Sequence, residues 1–271
     1  MSSHRPPRVK ALIPAAGRGR RLADISGGSH KELLRLGPLT LIEHCLRMVL
    51  ASGVTEVAVV VRPGKEEVLR VVEEYWSREG PDFGELVFLE QDPPRGVAEA
   101  MLLAADFAGT DPLAVVMPDN LLVGGPPALG QMIEGLARTG ENLIGVIPLP
   151  PWRAGLFGNV GLITLAPARP GDLPRVATFT QKAPGVLKLS GEGPFYKGMI
   201  GVIYRPGWAT RAKALAPNHE GEYDDADLLS DLAREGRLAA RVLKGQGFDL
   251  GQPRGLAAAR EAWLDAGFHA P

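Results

Sequence analysis

The sequence predicts an α/β protein with a mostly parallel, doubly wound sheet, and two observations carry that expectation. Apolar runs at residues 9–13, 54–61, 85–89 and 113–117 are short and nearly continuous, as strands buried on both faces of a parallel sheet are. Segments with helical spacing separate them, so strand and helix alternate through the first half of the chain.

Each element has its own local reason. The strand at 9–13 runs into Pro14 and then Ala15, Ala16, Gly17 and Gly19, small residues suited to close approach of backbone to a ligand. After Lys31 the chain reads as helix. Thr40 and Glu43 are spaced as a capping box, Leu41, Ile42, Cys45, Leu46 and Val49 share one face, and Gly53 is the stop. Helix is expected again over residues 65–77, closed by Gly80-Pro81, and over 97–107. The strand at 85–89 leads into Gln91-Asp92-Pro93-Pro94-Arg95-Gly96, and the strand at 113–117 into Pro118-Asp119-Asn120. The second half is less regular, with strands expected at 143–147, 158–165, 176–181, 199–204 and 238–243 and helices at 208–215, 225–235 and 254–264. Pro148-Leu149-Pro150-Pro151 divides a single domain into halves of about 8–147 and 148–271, which should share one continuous sheet.

Composition sets the limits. A chain of 271 residues, 45% of them hydrophobic, can bury a sizeable core. A formal net charge of -1 provides no broad basic face, which argues against a nucleic-acid partner and makes any anion site local. The single cysteine, Cys45, excludes an internal disulfide and a multi-cysteine metal site, and its helical face places it in the core. No apolar run approaches the roughly 20 residues that cross a bilayer. The start, MSSHRPPRVK, lacks the apolar stretch of a signal peptide. The expected location is the cytoplasm, without a membrane partner; the oligomeric state, a homo-oligomer included, is open.

Ligands of an open α/β sheet bind beyond the carboxyl ends of its strands. There, the glycine-rich loop after the first strand offers successive backbone N–H groups, and Arg18, Arg20, Arg21 and Lys31 add positive charge beside it, so the expected ligand is a polyphosphate. Gln91 and Gly96 follow the third strand and Asp119 the fourth, which converges three polar elements on one edge. Plainer readings stand beside these. Glycine turns are common after a first strand, Arg18 and Arg20 read equally well as solvated charges, and Asp119 alone as a turn or cap residue. Gln91 can be a surface amide. It can also accept from an imide N–H while donating to a neighbouring carbonyl, the pattern of uracil and thymine.

Taken together, Ala15-Ala16-Gly17-Arg18-Gly19-Arg20-Arg21-Leu22 with Lys31 resembles the signature loop of the sugar-1-phosphate nucleotidylyltransferases, the glucose-1-phosphate thymidylyltransferase and uridylyltransferase group. Gln91 through Ala100 is similar to that family's base-binding loop and Pro118-Asp119-Asn120 to its first metal aspartate. Phe157-Gly158-Asn159-Val160 resembles the sugar-side strand, Phe179-Thr180-Gln181-Lys182 the lysine that holds the sugar phosphate, and Phe248-Asp249-Leu250-Gly251-Gln252-Pro253 the second metal aspartate. The match runs in order along nearly the whole chain. It implies a Rossmann-like, GT-A-like sheet of the nucleotide-diphospho-sugar transferase type, and an enzyme that joins a nucleoside triphosphate to a sugar-1-phosphate with Mg²⁺. On this resemblance Arg21, Lys31 and Lys182 are catalytic. Ala15, Ala16, Gly17, Gly19, Gln91, Gly96 and Asp119 bind the nucleotide. Gly158, Lys182 and Gly201 bind the sugar phosphate, and Asp119 and Asp249 hold the metal.

The implied reaction is in-line attack by a sugar-phosphate oxygen on the α-phosphorus, releasing pyrophosphate. It needs no protein nucleophile but strong charge stabilisation, since both reactants are anions. Two carboxylates plus phosphate oxygens suit the hard-oxygen preference of Mg²⁺. The chain departs from the family at His30, where proline is usual, at Leu39-Thr40, where Lys-Pro is usual, and at Gln181-Lys182-Ala183, where Glu-Lys-Pro is usual. The missing glutamate removes an expected sugar-hydroxyl partner and leaves the sugar open. An appended left-handed β-helix domain is not expected. UTP or dTTP is the expected donor, with cytidylyl or other nucleotidyl transfer to another sugar or alcohol phosphate as the runner-up. A non-catalytic nucleotide or sugar-phosphate sensor is a further alternative. A dinucleotide-binding oxidoreductase is disfavoured, because the loop lacks a third glycine and Arg62-Pro63-Gly64 stands where a ribose-binding acid belongs.

Overall fold

The computed structural model describes residues 7–19, 22, 29–158, 161–180, 187, 189, 193–218 and 221–265. Strand β1 (Lys10–Pro14) lies at the centre of a nine-stranded sheet. It pairs in parallel with β4 (Glu56–Val61) on one side and β6 (Leu113–Val116) on the other, and β5 (Glu85–Glu90) extends the sheet beyond β4. Val57 through Val61 are all buried, as an apolar run without alternation requires when helices cover both faces.

The second half of the chain completes the same sheet. Strand β11 (Tyr196–Tyr204) runs antiparallel to β6 and to β8 (Asn142–Pro148), and it also pairs with β9 (Leu162–Leu165). Beyond β8 lies β12 (Leu238–Val242), in parallel, and beyond β9 lies β10 (Val176–Phe179), antiparallel. All the strands of this sheet therefore point the same way except β10 and β11. The expected mostly parallel sheet is the one observed.

The double winding is visible in which side chains share a core. Ala11, Ile13, Val57, Val59 and Val116 pack with the helices Leu41–Ala51, Glu66–Glu79 and Ala128–Thr139 on one face. Their strand neighbours Leu12, Ala58, Val60 and Val115 pack with Val97–Leu103, Trp208–Lys213 and Asp225–Arg234 on the other. Burying a side chain the size of Val59 or Leu12 contributes about 1.5–3 kcal/mol. A smaller cluster of Leu36, Leu41, Phe248, Leu250, Leu256 and Trp263 seats the last helix, Pro253–Asp265, beside the segment that follows Lys31.

Several boundaries differ from expectation. After Lys31 there is only a 3₁₀ turn, Lys31–Leu33, and then a hairpin of β2 (Arg35–Leu36) and β3 (Leu39–Thr40) before the helix begins at Leu41. The Thr40–Glu43 capping box is formed in both directions, and it, not Lys31, marks the helix start. The expected helix over 97–107 breaks at Ala104. The helix Ala128–Thr139 was not anticipated. Gly130 and Gly135 weaken its helical signal, although Leu129, Met132, Ile133 and Leu136 have the right spacing and Gly140 ends it in a left-handed conformation. Gly135 is required by packing, because a Cβ there would lie 2.8 Å from Leu143 Cδ2. Strands β7 (Asn120–Val123) and β13 (Gln246–Asp249) form a separate antiparallel ribbon that the sequence reading also missed.

Candidate active site

The loop after β1 leaves the sheet with Ala15 and Ala16 buried and Gly17 and Arg18 exposed. Ala15 N–H donates to Val60 O at 2.7 Å, which holds the turn against the end of β4. The space around Gly17 is open, with nothing within 4 Å of where a side chain would begin. Beneath the loop lies a buried ion pair absent from the sequence reading. Lys65 Nζ donates to Glu32 Oε2 at 2.8 Å and to Ala15 O at 2.5 Å, and both side chains are only 1% exposed. Burial pushes the Lys65 ammonium below its ordinary value, while Glu32 pulls the other way. This pair ties the phosphate loop to the residue next to Lys31. The signal was available, since Gly64-Lys65 follows a strand at the ligand-binding edge.

Lys31 and the two aspartates come together as expected. The stem of Lys31 lies over Gly19, whose Cβ would meet Lys31 Cγ at 3.5 Å, and Lys31 Nζ donates to Asp119 Oδ2 at 2.8 Å. Asp119 and Asp249 are 130 residues apart in the chain yet meet through the β7–β13 ribbon. Asn120 stands opposite Asp249 in its register, and Leu250 N–H donates to Asp119 O at 2.7 Å. A Cβ on Gly251 would lie 2.8 Å from Asp119 Oδ2 and 3.1 Å from Asp249 Oδ1, so both carboxylates open onto one point that only glycine leaves clear.

Backbone donors orient the pair. Asp249 Oδ2 accepts from Gly158 N–H at 2.8 Å and its Oδ1 from Gly251 N–H at 3.0 Å. Asn120 Nδ2 lies 3.3 Å from Asp119 Oδ1, and Asn120 Oδ1 accepts from Ile200 N–H at 3.0 Å. Among the described residues no group of three or more His, Cys, Asp or Glu side chains could hold a metal. A two-carboxylate, all-oxygen donor set fits a Mg²⁺ ion that keeps phosphate and water ligands, and fits a dedicated protein cage poorly.

The base loop after β5 carries its own network. Gln91 is buried, and its Nε2 donates to Gly96 O at 3.0 Å and to Glu99 Oε2 at 2.7 Å. Glu99 also accepts from Arg95 Nε at 2.8 Å, from Arg95 Nη2 at 2.5 Å and from Arg95 N–H at 3.2 Å. Burial raises the Glu99 pKa, but these donors outweigh it and hold the carboxyl below its usual value. The loop is latched to the second half of the chain, with Tyr223 N–H donating to Arg95 O at 2.6 Å and Ala98 N–H to Tyr223 O at 3.0 Å. Gly96 has φ 103°, and a Cβ there would stand 2.3 Å from Tyr223 O. The expectation that the Gln91 amide both accepts from and donates to a base is corrected here. Both its N–H groups are occupied within the protein, which leaves only the carbonyl Oε1 for a ligand.

Two expected sugar-phosphate residues have structural duties. Gly158 is buried, and its N–H is occupied by Asp249. Gly201, at φ 152°, lets β11 approach β6, because a Cβ would lie 1.8 Å from Val115 O. Arg20, Arg21, Asn159, Val160, Gln181, Lys182 and Ala183 lie outside the described residues. Lys197 on β11 is a buried cation that the sequence reading passed over. Its ammonium stands 3.7 Å from where a Gly161 side chain would begin.

A glycine-rich loop, a lysine and two converging carboxylates at the carboxyl edge of a mostly parallel sheet form the arrangement expected of a nucleotide-handling enzyme. The chain belongs to the nucleotidyl transferase family, whose model, described as Nucleotidyl transferase, matches residues 10–269. The relatives it resembles are named as UTP--glucose-1-phosphate uridylyltransferases. It is 26% identical over 279 residues to UTP--glucose-1-phosphate uridylyltransferase 1 of Streptococcus pyogenes serotype M1, covering 91% of this chain and 85% of that one. It is 23% identical over 264 residues to UTP--glucose-1-phosphate uridylyltransferase of Bacillus subtilis strain 168, covering 91% and 87%. The fold matches UDP-glucose pyrophosphorylase complexed with UDP-glucose at a TM-score of 0.75 and 19% identity, over 95% of this chain and 98% of that one. It also matches the UTP-bound enzyme of Acinetobacter baumannii at 0.71 and 21% identity, over 94% and 92%.

Proposed function

We propose that this enzyme transfers a uridylyl or thymidylyl group from UTP or dTTP to a sugar-1-phosphate, with glucose-1-phosphate the first acceptor to test, releasing pyrophosphate. The observation that carries the reading is the convergence of Asp119, Asp249 and Lys31, with the stem of Lys31 lying against Gly19 of the glycine-rich loop. The printed names of the uridylyltransferase relatives support the choice of UTP and glucose-1-phosphate.

In this reading a sugar-phosphate oxygen attacks the α-phosphorus, a new P–O bond forms, and the bond to the β-phosphate oxygen breaks with its electrons leaving on pyrophosphate. Asp119 and Asp249 would hold Mg²⁺, which when bound supplies Lewis-acid stabilisation of the phosphate oxygens. The backbone at Ala15, Ala16, Gly17 and Gly19 cradles the triphosphate, and Lys31 supplies fixed positive charge where negative charge grows. Arg21 on the triphosphate and Lys182 on the sugar phosphate are proposed from their sequence context. The cytoplasmic location also belongs to the proposal. Among the described residues no helix is long and apolar enough to cross a membrane.

A pyrophosphate-release screen crossing the common nucleoside triphosphates with sugar-1-phosphates, with and without Mg²⁺, tests the whole reading. Mg²⁺-dependent turnover of UTP or dTTP supports it. Preference for CTP would move the enzyme to cytidylyl transfer, and silence across the panel would favour a non-catalytic sensor.

A further inference from the structure

The base loop contains a charge that the reaction itself does not require. Glu99 stands in the first turn of the helix Val97–Leu103, with its side chain 18% exposed. One oxygen, Oε2, is directed at the Gln91 amide at 2.7 Å, and the other is gripped by the Arg95 guanidinium through Nε and Nη2.

A glutamine amide has two orientations that differ only by exchange of its oxygen and nitrogen, and packing alone barely distinguishes them. Here the neighbours do. The groups beside the Gln91 nitrogen are a carbonyl, Gly96 O, and a carboxylate, Glu99 Oε2, and both can only accept. Reversing the amide would set an oxygen against two oxygens and lose two hydrogen bonds at a buried site, one of them to a charged group. Arg95 in turn keeps Glu99 ionised, so the carboxylate cannot become a donor and restore the ambiguity.

We propose that Glu99 is a positioning residue for base choice: it locks the Gln91 amide with its carbonyl oxygen as the sole group presented to the nucleotide, an acceptor that selects a base carrying a ring N–H. This rests on the uridylyl or thymidylyl reading of the site and adds the element that enforces it. Uracil and thymine present an N3–H donor there, whereas cytosine presents a lone pair that meets the Gln91 oxygen repulsively. The discrimination is therefore built from an orientation, and the orientation from a residue that acts through Gln91.

Two variants separate this role from a merely structural one. Glu99→Gln keeps the shape but supplies an amide that can donate or accept, which leaves Gly96 O as the one remaining neighbour of the two that opposes reversal of Gln91. Glu99→Met keeps the bulk and removes the acceptor. The measurements are kcat/KM for UTP and CTP at saturating glucose-1-phosphate and Mg²⁺, together with the Kd of each triphosphate by calorimetry without acceptor. The expected result is that wild type prefers UTP, and that in both variants the UTP-to-CTP ratio narrows by about tenfold or more, with CTP binding improving in absolute terms for Glu99→Gln. A purely structural role would weaken both triphosphates equally. A ratio that stays within about twofold of wild type in the folded variants overturns the proposal while leaving the uridylyl reading intact. A wild-type enzyme that rejects UTP and dTTP overturns the underlying reading instead.

Discussion

At the scale of single residues, the site depends on groups whose partners are fixed by neighbours in space. Asp249 accepts one backbone N–H on each carboxylate oxygen, so Asp249→Asn sets an NH₂ against one of those donors as well as weakening the proposed metal ligand. Asp119→Asn removes the countercharge of Lys31. Each should lower kcat by at least about a hundredfold, equivalent to about 2.7 kcal/mol of transition-state stabilisation, while the protein remains folded by circular dichroism. Near-normal turnover in either well-folded variant removes that residue from the site. Lys65 is a different case, since its ammonium is fully buried against Glu32. Lys65→Met leaves an uncompensated carboxylate in the interior and should cost about 3–5 kcal/mol of stability in urea melts. The double variant Lys65→Met with Glu32→Leu should recover most of that loss. Equal destabilisation in single and double variants would show that the pair does not act as a pair.

At the scale of elements, the base loop holds its shape by leaning on a segment more than a hundred residues away. Gly96→Ala places a methyl 2.3 Å from Tyr223 O in a backbone conformation that alanine resists. The loop should pull away from Tyr223 and disorder the Gln91–Glu99 network. The expected result is a KM for the triphosphate raised about tenfold or more, with the KM for sugar phosphate changed far less; equal rises in both would sink this account. The β7–β13 ribbon has the parallel task for the two aspartates, because its register fixes Asp249 opposite Asn120. A one-residue slip would turn Asp249 to the other face.

For the whole molecule, pH enters through a group on the opposite face of the sheet from the Leu41–Ala51 helix. Asp225 is half-buried at the start of the helix Asp225–Arg234 and accepts from Tyr204 Oη at 3.0 Å. Burial, reinforced by the neighbouring Asp224, pushes its pKa up to about 7. A carboxyl whose folded-state pKa is raised favours the folded state most below its ordinary pKa, and that contribution is lost as pH rises through the folded value. Asp225→Asn is neutral at every pH and keeps an acceptor for Tyr204. The difference in Tm between variant and wild type should therefore move in the variant's favour between about pH 5 and pH 8. A difference that does not change with pH would show that Asp225 titrates as an ordinary carboxylate.

The strand runs, the glycine loop and the capping box were legible from sequence because each follows from local spacing. Val57–Val61 has no polar face to expose, and Thr40 and Glu43 need only a spacing of three along the chain to satisfy each other. Lys31, Asp119 and Asp249 were legible as chemistry, through the small and acidic residues that surround them. Only the tertiary structure decided how they meet. The ribbon that joins Asp119 to Asp249 consists of two short strands whose pairing is set by contacts across the chain, and nothing in either segment alone specifies the partner. The same holds for Lys65 and Glu32, which look like solvated loop charges until burial pairs them, and for Gln91, whose hydrogen-bonding sense is fixed by Glu99 and Gly96 and not by its own identity. Local propensity writes the elements, whereas the orientation of buried polar groups is settled by which donors and acceptors the fold packs against them.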